Sequence, residues 1–325
     1  MATIKDVAER AGITVTTVSR VLNNRGYISA QTREKVYRVM SELDYRPNEI
    51  ARALVQKQTK LIGAIVPSLL HPFFSACINY LEKYAFSNGF KLLVCNSQQN
   101  SEKESDYIDM LKSNKVSGII LCTRSGKIAS RLDQFPVVTI ERSISDSIPA
   151  VLCDNYRGGV YAAELLLEQG CKRPAIFSGI PRIKLPADRR AKAFEDTCRK
   201  SGVVPVVIAT SEEQFNDFDY HKAINKMFDA DSLFDGIFAT SDIIAAQLLQ
   251  ACTARNISVP KDMKIIGFDD IDIACLTNPP LTTVHQPIED MCRCAVEIII
   301  KKMKGETVPP RTVFPVTLIR RASTF

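Results

Sequence analysis

Apolar positions recur at helical spacing twice between residues 3 and 22, with one break between the two runs. Ile4, Val7, Ala8 and Ala11 share a face of the first helix, and Val18, Val21 and Leu22 share a face of the second. Thr3, with Asp6 three residues on, has the arrangement that satisfies free amide groups at a helix start. Gly12 suits the left-handed residue that ends a helix, and Thr14 can cap the next one. Val15, Thr16 and Thr17 are then left pointing outward. Asn23 to Tyr27 reads as a polar loop turning at Gly26. Ser29 caps a third helix over 30–43, with Val36, Val39, Met40 and Leu43 inward. After Pro47 a short segment, 48–56, places Ile50, Ala53 and Leu54 on one face. Alone in water so short a helix is marginal; it is a linker unless a partner orders it.

From Leu61 the period changes. Short apolar runs at 61–66, 91–95, 118–122, 137–140, 151–153, 175–178, 204–208, 236–239, 264–268 and 282–284 read as strands. Amphipathic stretches at 72–87, 102–113, 155–168, 188–200 and 242–255 read as helices between them. Such alternation predicts parallel sheets covered on both faces, and this many strands suits two lobes. In open α/β sheets a ligand sits beyond the carboxyl ends of the strands. The segments found there, 67–74, 96–100, 141–142, 154–155, 179–190, 211–218, 240–242 and 269–270, are rich in carboxylates, amides, arginine and aromatic rings. A sugar requires such groups: charged partners for vicinal hydroxyls and ring faces for its apolar side.

Composition narrows the classes. No apolar run approaches the 18 or so residues of a membrane span, and the start of the chain has no signal-peptide core, so a cytoplasmic protein is expected. The ten cysteines are scattered, without a CxxC, which favours reduced buried thiols and predicts neither disulfides nor a metal site. Residues 1–60 hold 11 Lys/Arg against 6 Asp/Glu, a charge of +5 out of the total of +6. A basic head on a near-neutral body is the footprint of phosphate-backbone binding. Neither GxGxxG, GxxxxGK[ST] nor GxSxG occurs. His71, His221 and His285 are far apart and read as structural, so no enzyme and no cofactor is expected.

The run IKDVAERAGITVTTVSRVLN, followed by Ser29, Thr32, Arg33 to Val36, Tyr45 to Asn48 and Ala51 to Leu54, resembles the DNA-binding end of the lactose-repressor (LacI/GalR) family almost position by position. The rest of the chain resembles that family's effector domain, through Pro279 to Val284 and Leu318 to Arg321. The resemblance implies an N-terminal all-α helix-turn-helix domain plus an α/β two-lobed body like the periplasmic sugar-binding proteins. The domains would be 1–46 for the head, 47–60 for a hinge helix and linker, and 61–325 for effector binding and dimerisation. An N-lobe is expected from 61–154 and 286–311, and a C-lobe from 155–285 and 312–325.

By the same resemblance Val15, Thr16 and Arg20 read the major groove, while Thr3, Thr14, Asn23, Ser29 and Thr32 contact phosphates. Asn48, Ala51 and Leu54 would make hinge contacts, Leu54 wedging between base steps. The effector would meet Phe73, Phe74, Glu141, Arg142, Arg190, Phe215, Asp242 and Asp269. Glu141-Arg142 replaces the family's commoner Asp-Arg. Taken singly, any of these is as readily a cap or an ion pair; Asp242 could simply cap the helix that follows it. The implied protein is a homodimeric repressor of carbohydrate-utilisation genes that binds operator DNA and a small sugar. The stretch 95–120 with Asp154-Asn155 is most similar to Gram-positive sucrose-operon repressors, suggesting sucrose or a fructose-containing saccharide. Alternatives are a purine- or nucleoside-responsive repressor, which needs base-stacking aromatics, and a catabolite regulator with a phosphocarrier protein as partner. A transport-type sugar-binding protein belongs to another class; the basic head counts against it.

Overall fold

The structure, a computed structural model, describes residues 2–46, 59–123, 132, 135–179, 185–229 and 234–325. The chain divides between Thr59 and Lys60 into two compact units.

The first unit contains α1 (Ile4–Ala11), α2 (Val15–Leu22) and α3 (Ala30–Glu42). The Thr3 hydroxyl accepts from the Asp6 amide while the Asp6 carboxylate accepts from the Thr3 amide at 2.7 Å, closing a capping box. Gly12 ends α1 at φ 61°, a conformation that costs a side-chain-bearing residue more than glycine. The hydroxyls of Thr14 and Ser29 accept from the amides of Thr17 and Thr32, each at 3.2 Å. Val7, Ala8, Ala11, Val18, Val21, Val36 and Val39 form the core, none more than 4% exposed. Each buried valine stabilises by about 1.5–3 kcal/mol, so a module this small rests on a few side chains. The expected hinge contacts at Asn48, Ala51 and Leu54 lie outside the described residues.

The second unit holds two six-stranded sheets, with strands numbered in chain order. The first runs β11 (Arg311–Phe314), β5 (Ala150–Cys153), β4 (Val137–Ile140), β3 (Gly118–Leu121), β1 (Leu61–Val66), β2 (Lys91–Asn96). All its pairings are parallel. The second runs β12 (Thr317–Ile319), β10 (Thr282–His285), β9 (Lys264–Asp269), β8 (Gly236–Ala239), β6 (Pro174–Ser178), β7 (Val206–Ala209). Only β12 is antiparallel there. Helices α4 (Pro72–Ser87), α5 (Ser101–Ser113) and α12 (Ile288–Met303) belong with the first sheet. With the second come α6 (Asn155–Glu168), α7 (Asp188–Lys200), α8 (Glu212–Asp217), α9 (His221–Asp229), α10 (Asp242–Ala254) and α11 (Ile273–Leu276).

Central strands are apolar throughout because helices cover both faces: β3 and β8 are buried at every position. Gly63 lets α5 sit directly on β1, since a Cβ there would lie 2.6 Å from Leu111 Cδ1. The chain passes between the lobes after Cys153, after His285 and after Phe314. The last crossing corrects the expected boundary at 311/312, because Arg311–Phe314 extends the first sheet beside β5. Neither β11 nor β12 has the continuous apolar run that marks the inner strands. All ten cysteines are free and eight are buried; burial pushes Cys171, Cys198 and Cys252 up to about 11, so they stay protonated.

Candidate DNA interface and effector cleft

In the first unit, α2 presents an open groove lined by Val15, Thr16, Ser19, Arg20, Asn23, Arg25 and Gly26. Val15 is 40% exposed although it is apolar, while Val18 and Val21 of the same helix are fully buried. The Asn23 amide donates to the Ser19 carbonyl at 2.8 Å and is held along the helix. Ser19, on the exposed side of α2, and Arg25, in the loop that follows it, add to the expected readers. Thr3, Thr14 and Ser29 stand at the three helix N-termini, where free amides and the dipole favour a phosphate. Among the expected readers only Arg20 can grip a guanine edge with two hydrogen bonds. Arg20→Ala should therefore cost about 1–3 kcal/mol on the preferred DNA site, with a smaller loss on random duplex. Fluorescence anisotropy against both duplexes reads this; equal losses would make Arg20 a phosphate contact only.

In the second unit the cleft is centred on Arg190, third residue of α7. Its Nε donates to Asn155 Oδ1 at 2.5 Å and its Nη1 to the Thr240 carbonyl at 3.0 Å. Its Nη2 lies 3.7 Å from Glu141 Oε2 and its Nη1 3.8 Å from Asp269 Oδ1. The guanidinium carbon is 3.5 Å from the centre of the Phe268 ring, a cation–π contact that fixes the plane. α7 can approach this closely because Gly159 of α6 leaves room: a Cβ there would be 2.1 Å from the Arg190 carbonyl oxygen.

Glu141 leaves β4 at φ 52°. Its Oε1 accepts from the Cys153 amide at 2.5 Å and its Oε2 from Asn155 Nδ2 at 2.9 Å. The longer carboxylate thus reaches β5 and the first turn of α6. Asp269 stands at φ 111°, strained backbone of the kind that collects at binding sites. Gln286 donates to Asp269 Oδ1 at 2.5 Å, while Gln286 Oε1, also buried, has no hydrogen-bond partner. An orphan acceptor costs free energy unless a ligand donor fills it.

A cavity of about 120 Å³ is lined by six of the eight expected effector residues, Phe73, Phe74, Glu141, Arg190, Phe215 and Asp269. His71, Thr123, Thr210, Tyr220, Thr240 and Gln286 join them. His71 has the structural role expected of it, capping α4 through Nδ1, 3.3 Å from the Phe73 amide, and its ring faces Phe74, Phe215 and Phe218. Two expected residues do not line the cavity. Arg142 turns into the N-lobe, where Nη1 donates to the Thr123 carbonyl at 2.9 Å and lies 3.4 Å from Glu104 Oε1. Glu141 takes the cleft and Arg142 the interior. Thr123 Oγ1 donates to Glu104 and accepts from Arg142. Asp242 is fully buried beneath the cleft, accepting from Ile271 N at 3.0 Å and Thr283 Oγ1 at 2.5 Å. Gly267 makes the space, since a Cβ there would lie 2.2 Å from Asp242 Oδ1.

Burial pushes Asp269 up to about 7, with Arg190 and Gln286 pulling it back and Glu141 adding to the rise. Burial likewise raises Asp242, and Asp269 beside it raises it further. Among the described residues no group of three or more His, Cys, Asp or Glu could hold a metal ion. No described helix is long and apolar enough to cross a membrane.

Comparison with known proteins covers both units. The sequence profile for "Bacterial regulatory proteins, lacI family" matches residues 3–48, and that for a periplasmic binding protein-like domain matches 163–324. The chain is 36% identical over 321 residues to the sucrose operon repressor of Streptococcus mutans serotype c, covering 98% of each chain. It is 34% identical over 327 residues to the ribose operon repressor of Halalkalibacterium halodurans, covering 100% of this chain and 97% of that one. A lac repressor dimer bound to operator and the anti-inducer ONPF matches with a TM-score of 0.88 and 26% identity over 99% of both chains.

Proposed function

We infer, because the chain belongs to the lacI family of bacterial regulatory proteins, that it is a sequence-specific repressor of carbohydrate-utilisation genes controlled by a small sugar. It is a DNA-binding regulator, not an enzyme, and works as a dimer on operator DNA in the cytoplasm. The observation that carries this reading is the pairing, in one chain, of an exposed α2 groove with a cleft built on Arg190 and Asp269. Residues 1–46 are the reading head, 47–60 the hinge and 61–325 the effector body. Val15, Thr16 and Arg20 meet bases, while Thr3, Thr14, Asn23, Ser29 and Thr32 meet phosphates. Asn48, Ala51 and Leu54 act in the minor groove.

In the body, Asp269, Arg190 and the orphaned Gln286 carbonyl take the sugar's hydroxyls, and Phe73, Phe74 and Phe215 cover its apolar side. Arg142 and Asp242 hold the frame from behind. The described cleft residues comprise Arg190 against Glu141, Asp188 and Asp269, a balance that favours a neutral ligand over a phosphorylated one. The His71 and Phe215 rings stack on each other at 5.5 Å, which leaves no slot between them for a purine. Sucrose, fructose-containing saccharides and ribose are the candidates that the relatives suggest. Sugar binding draws the lobes together and changes the grip of the paired hinges; operator and sugar then weaken each other equally.

A thermal-shift panel of sugars, nucleobases and sugar phosphates tests the ligand class. A neutral sugar at about 100 times its Kd should stabilise the body by about 2.7 kcal/mol; a response to nucleobases alone would replace the reading. Capture of a phosphocarrier protein without any sugar response would favour the catabolite regulator.

The raised Asp269 also sets a pH dependence. A sugar hydroxyl donates to the carboxylate, so the proton competes with the sugar. Affinity is full above about 7 and falls as pH drops below it, by up to about tenfold per unit. Calorimetry at pH 8 and pH 6 should show weaker binding at pH 6, and unchanged affinity would remove Asp269 as an acceptor.

A further inference from the structure

The sugar acceptor Asp269 stands in a turn that its own residues disfavour. Asp269 at φ 111° and Asp270 at φ 57° are successive side-chain-bearing residues with positive φ. Backbone of this kind persists only where its surroundings over-determine it. Two ties hold the turn from within the C-lobe frame: Gln286 donates to Asp269 Oδ1, and the Asp242 carboxylate accepts from the Ile271 amide. A third tie lies outside the cleft lining. Asp270 does not line the cavity; its Oδ1 accepts from Arg321 Nη2 at 2.7 Å and its Oδ2 lies 3.0 Å from His285 Nδ1. Burial alone would raise this carboxyl, but the hydrogen bonds from His285 and Arg321 and the Arg321 charge hold it below the usual carboxylate range. It is ionised at neutral pH.

Arg321 comes from the C-terminal segment, two residues after β12, and is itself fixed in place. Its amide donates to Thr282 Oγ1 at 2.8 Å, and that hydroxyl donates to the Arg321 carbonyl at 2.8 Å. Its Nη1 donates to the Leu281 carbonyl at 2.9 Å. One arm of the guanidinium thus holds the residue before β10, and the other holds the turn that follows β9. His285, the last residue of β10, takes the remaining oxygen of Asp270. Ser323 anchors the same segment without touching Asp270: its hydroxyl donates to the Ile265 carbonyl at 2.6 Å and accepts from the Thr282 amide at 2.8 Å.

We propose that Arg321 is a positioning residue for the effector: by gripping Asp270 it fixes the turn that aims the Asp269 carboxylate into the cleft. The proposal rests on the sugar-effector reading above and deepens it, tying the site to a residue near the end of the chain that does not line the cavity. A site held ready in this way spends less binding energy on ordering itself.

The test uses the full-length protein, with calorimetry, thermal melts and anisotropy on operator DNA as readouts. The probes are D-ribose, D-fructose, D-glucose and sucrose, and the tightest binder of the unaltered protein is carried through the variants. Arg321→Ala should weaken sugar binding about tenfold or more, while operator affinity without sugar changes by less than about threefold. Asp270→Asn should act in the same direction by about threefold or more, because a neutral acceptor grips Arg321 less strongly. Asparagine tolerates positive φ as well as aspartate does, so this loss reports the clamp and not the turn's own preference. Arg321→Lys should recover part of what Arg321→Ala loses, since an ammonium can reach Asp270 but cannot hold Leu281 at the same time. Ser323→Ala separates positioning from stability: it should lower the melting temperature and keep sugar affinity within about threefold. If Arg321→Ala does not fold, Asp270→Asn decides. Undiminished sugar affinity in folded Arg321→Ala or in Asp270→Asn, or a loss in Ser323→Ala as large as in Arg321→Ala, overturns the positioning role and leaves the sugar-effector reading standing. Binding of none of these sugars by the unaltered protein overturns that reading, and the proposal with it.

Discussion

Arg190→Ala is expected to leave a protein that still holds operator DNA but no longer releases it when the sugar is added. The guanidinium is the one cation among the described cleft residues, and it stands between Glu141 and Asp269 at 3.7 and 3.8 Å. Removing it leaves the Glu141 and Asp269 carboxylates without the cation that stands between them. Breaking a buried pair in this way costs about 3–5 kcal/mol, so the body's melting temperature should fall as well. Arg190→Lys should rescue little. An ammonium cannot bond Asn155 and the Thr240 carbonyl together while lying flat on Phe268. Calorimetry with the preferred sugar and thermal melts of the variant separate the two effects. Sugar binding within threefold of the unaltered protein would take Arg190 out of the site.

Gly159→Ala should be nearly as damaging, although alanine is the better helix former by about 1 kcal/mol. The added methyl would meet the Arg190 carbonyl oxygen at 2.1 Å and the Ala193 Cβ at 3.0 Å. The first of these is main chain and cannot swing aside, so α6 and α7 must separate. Overpacking of this kind costs about 1–3 kcal/mol. It would also move the turn that carries Arg190, so sugar affinity should fall together with the melting temperature. A variant that melts and binds as before would mean that the helices part without cost. That outcome would undo the claim that α6–α7 contact positions the guanidinium.

The helical head was the most legible part of the chain. Its caps at Thr3, Thr14 and Ser29 and its valine stripe are local signals, complete within a few residues. The inner strands were legible for a similar reason, being unbroken apolar runs closed by turns. Edges were not. β7 lies at Val206–Ala209, not 204–208, because an edge strand half open to water has no strict apolar pattern to fix its ends.

At the site, Arg190, Asp269 and the phenylalanines could be found because several of them fall at strand ends together. Gln286 and Thr123 could not, since each is a single polar residue whose value depends on what the fold brings against it. The place of His71 beside the cleft has no signal in the sequence, because its partners Phe215 and Phe218 arrive from the other lobe. For Asp242 and Arg142, residue type and position after a strand suit a ligand contact and a framework role alike. What separates them is direction. Gly267, by lacking a Cβ, opens a space beneath the cleft that Asp242 fills. Glu104 and Thr123 draw Arg142 inward.

The claim underlying all of this is that one chain couples a sugar in the Arg190 cleft to a sequence held by α2. The direct measurement is to select duplexes bound by the purified protein from a random pool at moderate salt, then titrate the preferred sugar against the selected complex by anisotropy. The account predicts a near-palindromic consensus and a complex that weakens as sugar is added, with Arg190→Ala holding the same consensus but unmoved by sugar. Failure to enrich any sequence, or an enriched complex that no sugar alters, would contradict it.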